Sequence, residues 1–335
     1  NKKKVKLFRL PVHSKNPVLI LINFILITLI ILFCNIKIVH ARSRAPAWSC
    51  LWATKITGRK FVTTFHGTYN YKSSLKKFYN SVMVRSDLII AGSNFIFSHI
   101  CENYKEFLKP KRRKLMVIFR GINTDFFSQK KVLDNKLNQL IKEWKIDINK
   151  FIILLPGRLT SWKGQELFIE SINILNQQSD IRPFSAIILG SDQGRTVYYK
   201  KLLSLVQKYR LNAKIKFISS CKEMPVAYKI SNLVVSASIE PEAFGRVSVE
   251  AQSMEKPIIA SDIGGSNETI KDEISGLLFK NGDATSLASK LSSLLDLSEE
   301  TLKSMGTEGR KNVINKFNVE KMCFSTYSEY KKVIN

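Results

Sequence analysis

Short apolar runs alternate with amphipathic stretches along most of the chain. Four runs lie in the first part, at residues 36–40, 60–65, 87–91 and 115–119. Six more follow, at residues 151–155, 185–189, 214–218, 233–236, 257–260 and 276–279. Apolar runs of this length that alternate with helical patterns are typical of parallel sheets with helices on both faces. The pattern therefore predicts an α/β protein with two doubly wound, Rossmann-like sheets.

A polar, lysine-rich segment separates the two sets of runs. Residues 126–150 contain no strand pattern and one predicted helix, which indicates a connection between domains. The chain from residue 299 onwards is predicted to be helical to its end. These patterns predict domains over residues 1–130 and 151–317, a linker helix over 131–150 and a last helix over 318–335.

The most apolar segment lies near the start of the chain, over residues 18–34. Its length is close to the lower limit for a membrane span, and lysines precede it. However, Asn23 and Thr28 interrupt it, and a strand pattern follows directly. We predict a helix that packs inside the first domain, with a membrane-spanning or membrane-inserted helix as the alternative. A secretory signal is not indicated, because no small-residue cleavage site follows at the right distance.

The net charge of +26, with a pI near 9.9, leaves two interpretations open. One is a general bias towards Lys, Asn and Ile, and the other is an anionic partner such as a membrane surface or an anionic substrate. A nucleic-acid partner is not predicted, because zinc-finger spacing, an RNA-recognition signature and a basic heptad region are lacking. The five cysteines form no C-x-x-C pair, which is typical of reduced thiols in the cytosol.

The loop after the run at 151–155 combines a glycine with two cations. Gly157 lets the backbone turn, and Arg158 and Lys163 lie five residues apart. The next helix is predicted to begin around Gly164, and a helix N-terminus favours anions. A guanidinium fork and an ammonium at such a place suit a diphosphate without a metal ion. Two solvated cations in a loop are the alternative.

A second candidate pairs two carboxylates around a helix start after the run at 233–236. Glu242 lies in the loop, Gly245 permits close backbone approach to a ligand, and a helix is predicted to begin near Arg246. Glu250 then lies one turn into the helix, on the same face as Arg246. Carboxylates accept hydrogen bonds from vicinal hydroxyl groups, so one of them can hold a sugar and the other a ribose. A capped helix with surface acids is the alternative.

Two further strand ends carry candidate groups. The turn at 262–268 contains Gly264 and Gly265, which either approach a ligand through their backbone or only form a tight turn. His66 follows the run at 60–65. It is predicted to point into a cleft, because ligands of such sheets bind at the carboxyl ends of the strands.

Together these motifs resemble family 4 of the retaining glycosyltransferases, which have the GT-B fold of two Rossmann-like domains facing a cleft. The resemblance covers about residues 36–335 and is carried by the strings at 66–67, 120–123, 157–164, 242–251, 256–260 and 264–265. The family string E-x-F-G-x-V-x-x-E-A stands at 242–251, with Ala243 in place of the common Pro. Glu255 stands where the family usually has Gly.

The resemblance implies a role for each candidate residue. Arg158 and Lys163 would bind the donor diphosphate, and Glu250 would hold the ribose. Glu242 and His66 would contact the transferred sugar and are the predicted catalytic residues. The predicted donor-binding residues are Gly157, Arg158, Lys163, Phe244, Gly245, Val247 and Glu250. Transfer would retain the anomeric configuration without a metal ion or another cofactor, and the main electrostatic task would be to stabilise the leaving diphosphate.

Partners and a location follow from the same resemblance. The donor would be a nucleotide-diphosphate sugar, and the acceptor an envelope glycan, a lipopolysaccharide or another glycolipid. The basic surface would dock on anionic lipid at the inner face of the cytoplasmic membrane. The last helix would cross back onto the first domain. Because the family's first strand and Gly-rich loop do not precede Val18, and the chain begins with Asn1, we expect the first domain to be incomplete at its start.

The main alternative is a truncated chain that binds the nucleotide sugar with little or no turnover. A sugar-nucleotide epimerase of the same fold class would need a separate set of acid and base residues, and the chain has only four histidines. A nucleic-acid binder would rest on charge alone.

Overall fold

Two parallel β-sheets with intervening helices organise the protein. The computed structural model describes residues 5–12, 14, 16–69, 71–108 and 114–335. The chain forms two units. One contains the chain up to Phe119 together with Cys323–Asn335, and the other contains Arg120–Met322.

The first unit contains a four-stranded parallel sheet whose strands lie side by side in chain order. Its elements are α1 (Pro17–Phe33), β1 (Ile38–Ala41), α2 (Arg44–Thr57), β2 (Lys60–Phe65), α3 (Ser74–Asn80), β3 (Leu88–Ala91), α4 (Asn94–Asn103) and β4 (Lys114–Val117). Every strand predicted in this part is present, and β2 has the predicted bounds. β3 is buried at each of its positions, as expected for a parallel strand covered on both faces.

The second unit contains a six-stranded parallel sheet. Its elements are α5 (Asp134–Trp144), β5 (Phe151–Pro156), α6 (Gln165–Asn176), β6 (Phe184–Leu189), α7 (Thr196–Lys208), β7 (Ile215–Ile218), α8 (Met224–Ile230), β8 (Leu233–Ser236), α9 (Arg246–Ser253), β9 (Ile258–Ser261), α10 (Ser266–Thr269), β10 (Leu277–Phe279), α11 (Ala284–Leu295) and α12 (Glu299–Lys316). The strand order is β10-β9-β8-β5-β6-β7. The order therefore changes direction between β5 and β8, and ligands of such sheets bind beside this point, at the carboxyl ends of the strands.

The core of the second unit forms around β5. Phe151, Ile153 and Leu155 alternate along the strand and join one apolar cluster. Phe168 from α6 and Leu291 from α11 belong to the same cluster, and both are fully buried. Since side chains of a strand point alternately to opposite faces, these three positions of β5 fix the face on which α6 and α11 lie.

The apolar segment near the start of the chain forms α1. Asn16 caps the helix by accepting a hydrogen bond from the backbone N–H of Val18, and Pro17 occupies the first helical position. α1 packs along α2, where Ser49 Oγ donates to the carbonyl oxygen of Ile20 at 2.8 Å. The predicted helix is thus present. Among the residues that the structure describes, no helix is long and apolar enough to cross a membrane.

The predicted linker, residues 131–150, lies within the second unit. α5 packs against α8, and Lys136 forms an ion pair with Glu223 at 2.5 Å. Lys216 Nζ donates to the carbonyl oxygen of Trp144 at 2.6 Å. These contacts attach the segment to the second sheet, so it is part of that unit and not a free connection.

The C-terminal region consists of two helices, α12 and α13 (Val319–Ile334), and α13 lies within the range predicted for the last helix, residues 318–335. Between them, Phe317 is buried with its ring 5.7 Å from that of Phe244. Asn318 forms a parallel β-bridge with Ile122. The break falls at the predicted start of the last helix, residue 318, because burial of the ring and the backbone bridge hold these residues outside helical geometry.

Candidate functional site

The loops after β5 and β8 meet in the second unit. Gly164 ends a short 3-10 turn after β5 and adopts a left-handed conformation, with φ +72°. A Cβ atom there would lie 1.8 Å from the carbonyl oxygen of Ala237, which directly follows β8. Only glycine lets the two loops come this close. The loop at 157–164 is thereby fixed against the chain that leads to Glu242, and α6 begins at its end.

An ion pair joins the same two loops. Lys163 Nζ lies 2.6 Å from Glu242 Oε1, and the two side chains are only 14% and 12% exposed. Ser238 Oγ donates to the same carboxylate oxygen at 2.5 Å. Because an ammonium group carries three donors, Lys163 can hold Glu242 and still donate to another acceptor.

Arg158 lies on the first of these loops with an exposed side chain. Its guanidinium carbon is 6.0 Å from the centre of the Trp162 ring, and Lys163 Nζ is 4.5 Å from the same centre. The methylene chain of Lys163 passes over Gly157, 3.6 Å from where a Cβ would stand. The loop thus places one exposed guanidinium and one paired ammonium beside the start of α6, where the helix N-terminus also favours an anion.

Glu250 is fixed by two donors. Arg246 Nε donates to Oε1 at 2.6 Å, which confirms that the two residues share one face of α9. The Tyr228 hydroxyl donates to Oε2 at 2.9 Å. Burial, together with the charge of Glu250, raises the pKa of Tyr228 well above its ordinary value, so the phenol keeps the proton that it donates. The carboxylate of Glu250 is therefore held in one orientation, and the residue is 6% exposed.

The glycine pair after β9 packs against the carboxylate loop. The N–H of Gly265 donates to the carbonyl oxygen of Glu242 at 2.7 Å, and Gly264 forms a parallel β-bridge with Glu242. A Cβ atom at Gly265 would lie 2.7 Å from the carbonyl oxygen of Ala243. Of the two interpretations of this turn, the structure therefore shows close packing of two backbone segments.

The three remaining predicted donor-binding residues, Phe244, Gly245 and Val247, lie around the start of α9. Gly245 precedes the helix with φ +79°, a left-handed conformation that suits glycine. Phe244 is buried and packs on Phe317, whereas Val247 is half-buried. Phe244 thus supports the loop from inside, and its backbone and Val247 lie nearer to the surface.

A cavity that the sequence analysis did not single out opens at the carboxyl ends of β5, β6 and β7. It has a volume of about 340 Å³ and is lined by Leu159, Gly190, Asp192, Tyr199, Phe217, Ile218 and Ser219. Gly190 directly follows β6, and its lack of a Cβ leaves room for the carbonyl oxygen of Gly157, only 1.8 Å from the Cβ position. The signal that could have revealed the cavity is the place of Gly190 and Ser219, each directly after a buried strand.

His66 lies in the first unit, whereas the other eight predicted site residues lie in the second. It follows β2, and its Nε2 accepts a hydrogen bond from Arg42 Nε at 3.1 Å. Arg42 follows β1, so both side chains belong to the carboxyl edge of the first sheet. Arg42 was not among the predicted residues, although its place directly after an apolar run resembles that of His66.

The thiols and acidic side chains are further groups that could react or bind a metal ion. All five cysteines are free. Burial raises the pKa of Cys50 to about 12, so this thiol is not a nucleophile at neutral pH. In the part of the chain that the structure describes, no three His, Cys, Asp or Glu side chains are grouped so that they could hold a metal ion.

Comparison with known families gives two matches. Residues 138–312 match the family described as Glycosyl transferases group 1. Residues 3–126 match the family described as Glycosyltransferase Family 4. The first match spans more than half of the chain and contains all the predicted donor-binding residues, and the second contains His66.

Individual relatives agree with these matches. A glycosyltransferase crystal structure from Rickettsia africae ESF-5 is 37% identical, with a TM-score of 0.87 over 98% of this chain and 85% of that chain. Anabaena HepE in complex with UDP and glucose is 20% identical, with a TM-score of 0.80 over 94% of this chain and 82% of that chain. The capsular polysaccharide biosynthesis glycosyltransferase CapM of Staphylococcus aureus is 28% identical over 62% of this chain, a match that spans about half (52%) of CapM. The structural similarity confirms the predicted fold class, GT-B with two parallel-sheet α/β domains.

Proposed function

The chain belongs to the group 1 glycosyl transferase family, and we propose that it moves a sugar, with retention and without a metal ion, from a nucleotide-diphosphate donor to an envelope glycan or lipopolysaccharide. The observation that carries the proposal is the junction of the loops after β5 and β8. It brings Lys163 and Glu242 together beside the start of α6, with Arg158 on the same loop as Lys163. The cations suit the diphosphate of such a donor, and the carboxylate suits the hydroxyl groups of its sugar.

The leaving diphosphate is the group that needs most stabilisation. Transfer breaks the bond between the sugar and the diphosphate, and negative charge then develops on the phosphate oxygen. Arg158 offers an exposed guanidinium group that can donate two parallel hydrogen bonds. The ammonium group of Lys163 donates one hydrogen bond to Glu242 and has further N–H groups that can donate to the diphosphate. Donors that are already in place lower the barrier because they need no reorganisation when the charge appears.

The nucleoside and the sugar are assigned to the fixed carboxylates and the cavity. Glu250 would accept from the ribose hydroxyls, since Tyr228 and Arg246 already orient its carboxylate. Glu242 would accept from the sugar hydroxyls, with Phe244, Gly245 and Val247 beside it. The cavity at the carboxyl ends of β5, β6 and β7 would take the base. HepE, which has the same fold, binds UDP and glucose, so uridine nucleotides are the first donors to test.

Retention is proposed to follow a front-face course, in which a diphosphate oxygen helps to deprotonate the acceptor. Glu242 is already engaged by Lys163 and Ser238, which suits a carboxylate that positions hydroxyl groups and not one that shuttles protons. His66 is also proposed to contact the transferred sugar. The paired glutamates are therefore proposed to hold the donor, and not to act as the acid and base of a glycosidase.

The acceptor is proposed to be an envelope glycan or a glycolipid at the inner face of the cytoplasmic membrane. The name of CapM ties that relative to capsular polysaccharide, which is an envelope glycan. A net charge of +26 suits a peripheral position on anionic lipid.

Nucleotide binding gives the first test. Titration of the full chain with a panel of nucleoside diphosphates in EDTA should show binding, and Lys163→Ala should weaken it about tenfold to a hundredfold, because a hydrogen bond to a charged group contributes about 1.5–3 kcal/mol. Lys311→Ala is the matched control, since its ammonium pairs with Glu308 on an exposed face of the same unit.

Transfer to a glycolipid extract, followed by NMR of the new anomeric proton, tests the chemistry. Retention is expected. An inverted product, or activity that appears only when a divalent metal is added, would contradict the proposed course. Binding without transfer from any donor would instead favour a nucleotide-sugar-binding chain without turnover.

A further inference from the structure

One face of α1 is exposed and wholly apolar. Its residues recur at spacings of three and four, which places them in one stripe along the helix, namely Val18, Leu21, Ile22, Ile25, Leu29 and Leu32. Between 42% and 63% of each of these residues is exposed. We call this stripe the α1 face. The opposite side of the helix packs on α2, where Ile20 and Ile31 are buried. Contiguous exposed apolar surface of this kind marks an interaction site.

The apolar surface continues onto α2. The ring of Phe24 meets the ring of Trp52 edge-on, with centroids 6.2 Å apart. Trp52 is 39% exposed, and Ile56, one turn further along α2, is 69% exposed. Tryptophan is favoured where an apolar surface meets water, because its ring is apolar and its N–H is polar. The site therefore comprises the α1 face together with Phe24, Trp52 and Ile56.

The charged side chains in the segment that contains α1 are all positive. Residues 1–86 contain 16 of the 53 Lys and Arg residues and none of the 27 Asp and Glu residues, the first of which is Asp87. An even spread of 27 acidic residues over 335 positions would place about 7 of them in this segment. A general enrichment in lysine does not explain why acidic residues are missing here. The described basic residues include exposed side chains before α1, at Lys6 and Arg9, after it, at Lys37, and on α2, at Lys55.

We propose that the α1 face docks on an anionic lipid surface, with the helix lying in the plane of the membrane. Apolar side chains on such a helix enter the boundary between headgroups and acyl chains, while lysines and arginines around it contact the lipid phosphates. At 17 residues, α1 is about 25 Å long, shorter than the roughly 30 Å hydrocarbon core. The inference deepens the proposed function, on which it rests for a membrane-anchored acceptor.

A second copy of the chain fits this face less well. Two copies would bring together two segments that each carry sixteen positive and no negative side chains, and like charges oppose such an approach. An anionic bilayer offers both partners that the surface requires, since it has an apolar interior under a negatively charged layer.

Sedimentation of the full chain with vesicles tests the inference without any transfer reaction. We expect binding to vesicles that contain phosphatidylglycerol, weaker binding to phosphatidylcholine alone, and loss of binding as salt rises. The triple variant Leu21→Ser, Ile25→Ser, Leu29→Ser should reduce partitioning at least about tenfold. The matched control changes three exposed apolar residues of the second unit, in the variant Leu133→Ser, Ile148→Ser, Val197→Ser, and should bind as the native chain does.

Two results would overturn the inference. One is equal vesicle binding by the native chain and the α1 variant. The other is an absence of vesicle binding together with a dimer, seen by light scattering, that the α1 variant converts to a monomer. Nucleoside diphosphate titration of the same proteins separates the two proposals, because the α1 variant should keep its nucleotide affinity. Vesicle binding without nucleotide binding would remove the proposed function and leave the docking surface in place.

Discussion

At the scale of single residues, Tyr228 determines how firmly Glu250 is held. Its hydroxyl is fully buried and donates to Oε2, while the exposed Arg246 donates to Oε1. Tyr228→Phe removes one donor and leaves the other. We expect nucleoside diphosphate affinity to fall about fivefold to tenfold, because a carboxylate with one donor samples more orientations and one buried hydrogen bond to a charged group is lost. Calorimetric titration measures the change.

Tyr209→Phe is the control for the loss of a hydroxyl group in the same unit. Tyr209 is half-buried, follows α7 and lies beside Lys208. Nucleotide affinity should not change in this variant. If Tyr228→Phe binds as tightly as the native chain, Glu250 is positioned by Arg246 alone or does not contact the nucleotide.

The sequence predicts some residues of this site better than others. Lys163, Glu242 and Glu250 were predicted because each lies in a recognisable string beside a strand end or a helix start. Tyr228 was not, since it lies 22 positions before Glu250 on another helix and meets it only in the folded unit. The cavity was missed for the same reason, because its lining comes from α7, from β7 and from the loops after β5, β6 and β7, which are far apart in the sequence.

At the scale of elements, the turn from β5 to α6 depends on one glycine. Gly164→Ala should lower the free energy of unfolding by about 2 kcal/mol or more, because a Cβ would strike the carbonyl oxygen of Ala237 in addition to the cost of the left-handed conformation, about 1–2 kcal/mol. Gly282→Ala is a matched control. Gly282 has φ +75°, but its Cβ would meet nothing within 4 Å, so only the conformational cost should appear. Urea unfolding measures the free energy of unfolding of both variants. Equal decreases would show that the loop moves away from the Cβ at position 164 without further cost.

The C-terminal helix is attached to the first sheet through a neutral histidine. His40 on β1 shares hydrogen bonds with Tyr330 on α13 and with Thr64 on β2, the latter at 2.7 Å. Burial, and then the charge of Arg42, lowers the pKa of His40 from 6.5 to about 4. Because the folded pKa is depressed, the stability that this group contributes is present above pH 6.5 and is lost as the pH falls towards 4.

Hydrogen exchange can follow this loss. The amides of α13 after Met322 should exchange faster at pH 4.5 than at pH 7, after correction for the intrinsic rate. His40→Gln should abolish most of the difference, since glutamine keeps a donor and an acceptor but does not titrate. A pH dependence that persists in His40→Gln would assign it to other groups.

Elements were predictable where burial alone determines them. β2 and β8 have the predicted bounds, because the runs at 60–65 and 233–236 are buried almost throughout. The packing that causes the break between α12 and α13 was not predictable. It depends on the burial of Phe317 against Phe244, a contact between residues 73 positions apart that helical periodicity does not reveal.

At the scale of the whole molecule, the C-terminal residues Cys323–Asn335 pack as part of the first unit. Residues 323–335 belong to that unit, although the whole of the second unit, Arg120–Met322, precedes them in the sequence. Glu329 is 5% exposed and lies 2.7 Å from Lys114 on β4, and hydrogen bonds from Lys114 and Lys332, with their positive charges, hold the pKa of Glu329 below its usual range. Together with the link from Tyr330 to His40, this contact joins α13 to both edge strands of the first sheet.

Removal of residues 323–335 should therefore destabilise the first unit and spare the second. Limited proteolysis should cleave the shortened chain faster within residues 17–117, because buried surface and two polar contacts are lost there. Nucleoside diphosphate should still raise the unfolding temperature of the second unit, since ligand that binds only the folded state stabilises it by mass action. Phe324→Ser with Tyr327→Ser, on the exposed side of α13, controls for composition and should leave the cleavage rate unchanged. Equal loss of protease resistance in both units would mean that the chain unfolds as one cooperative body.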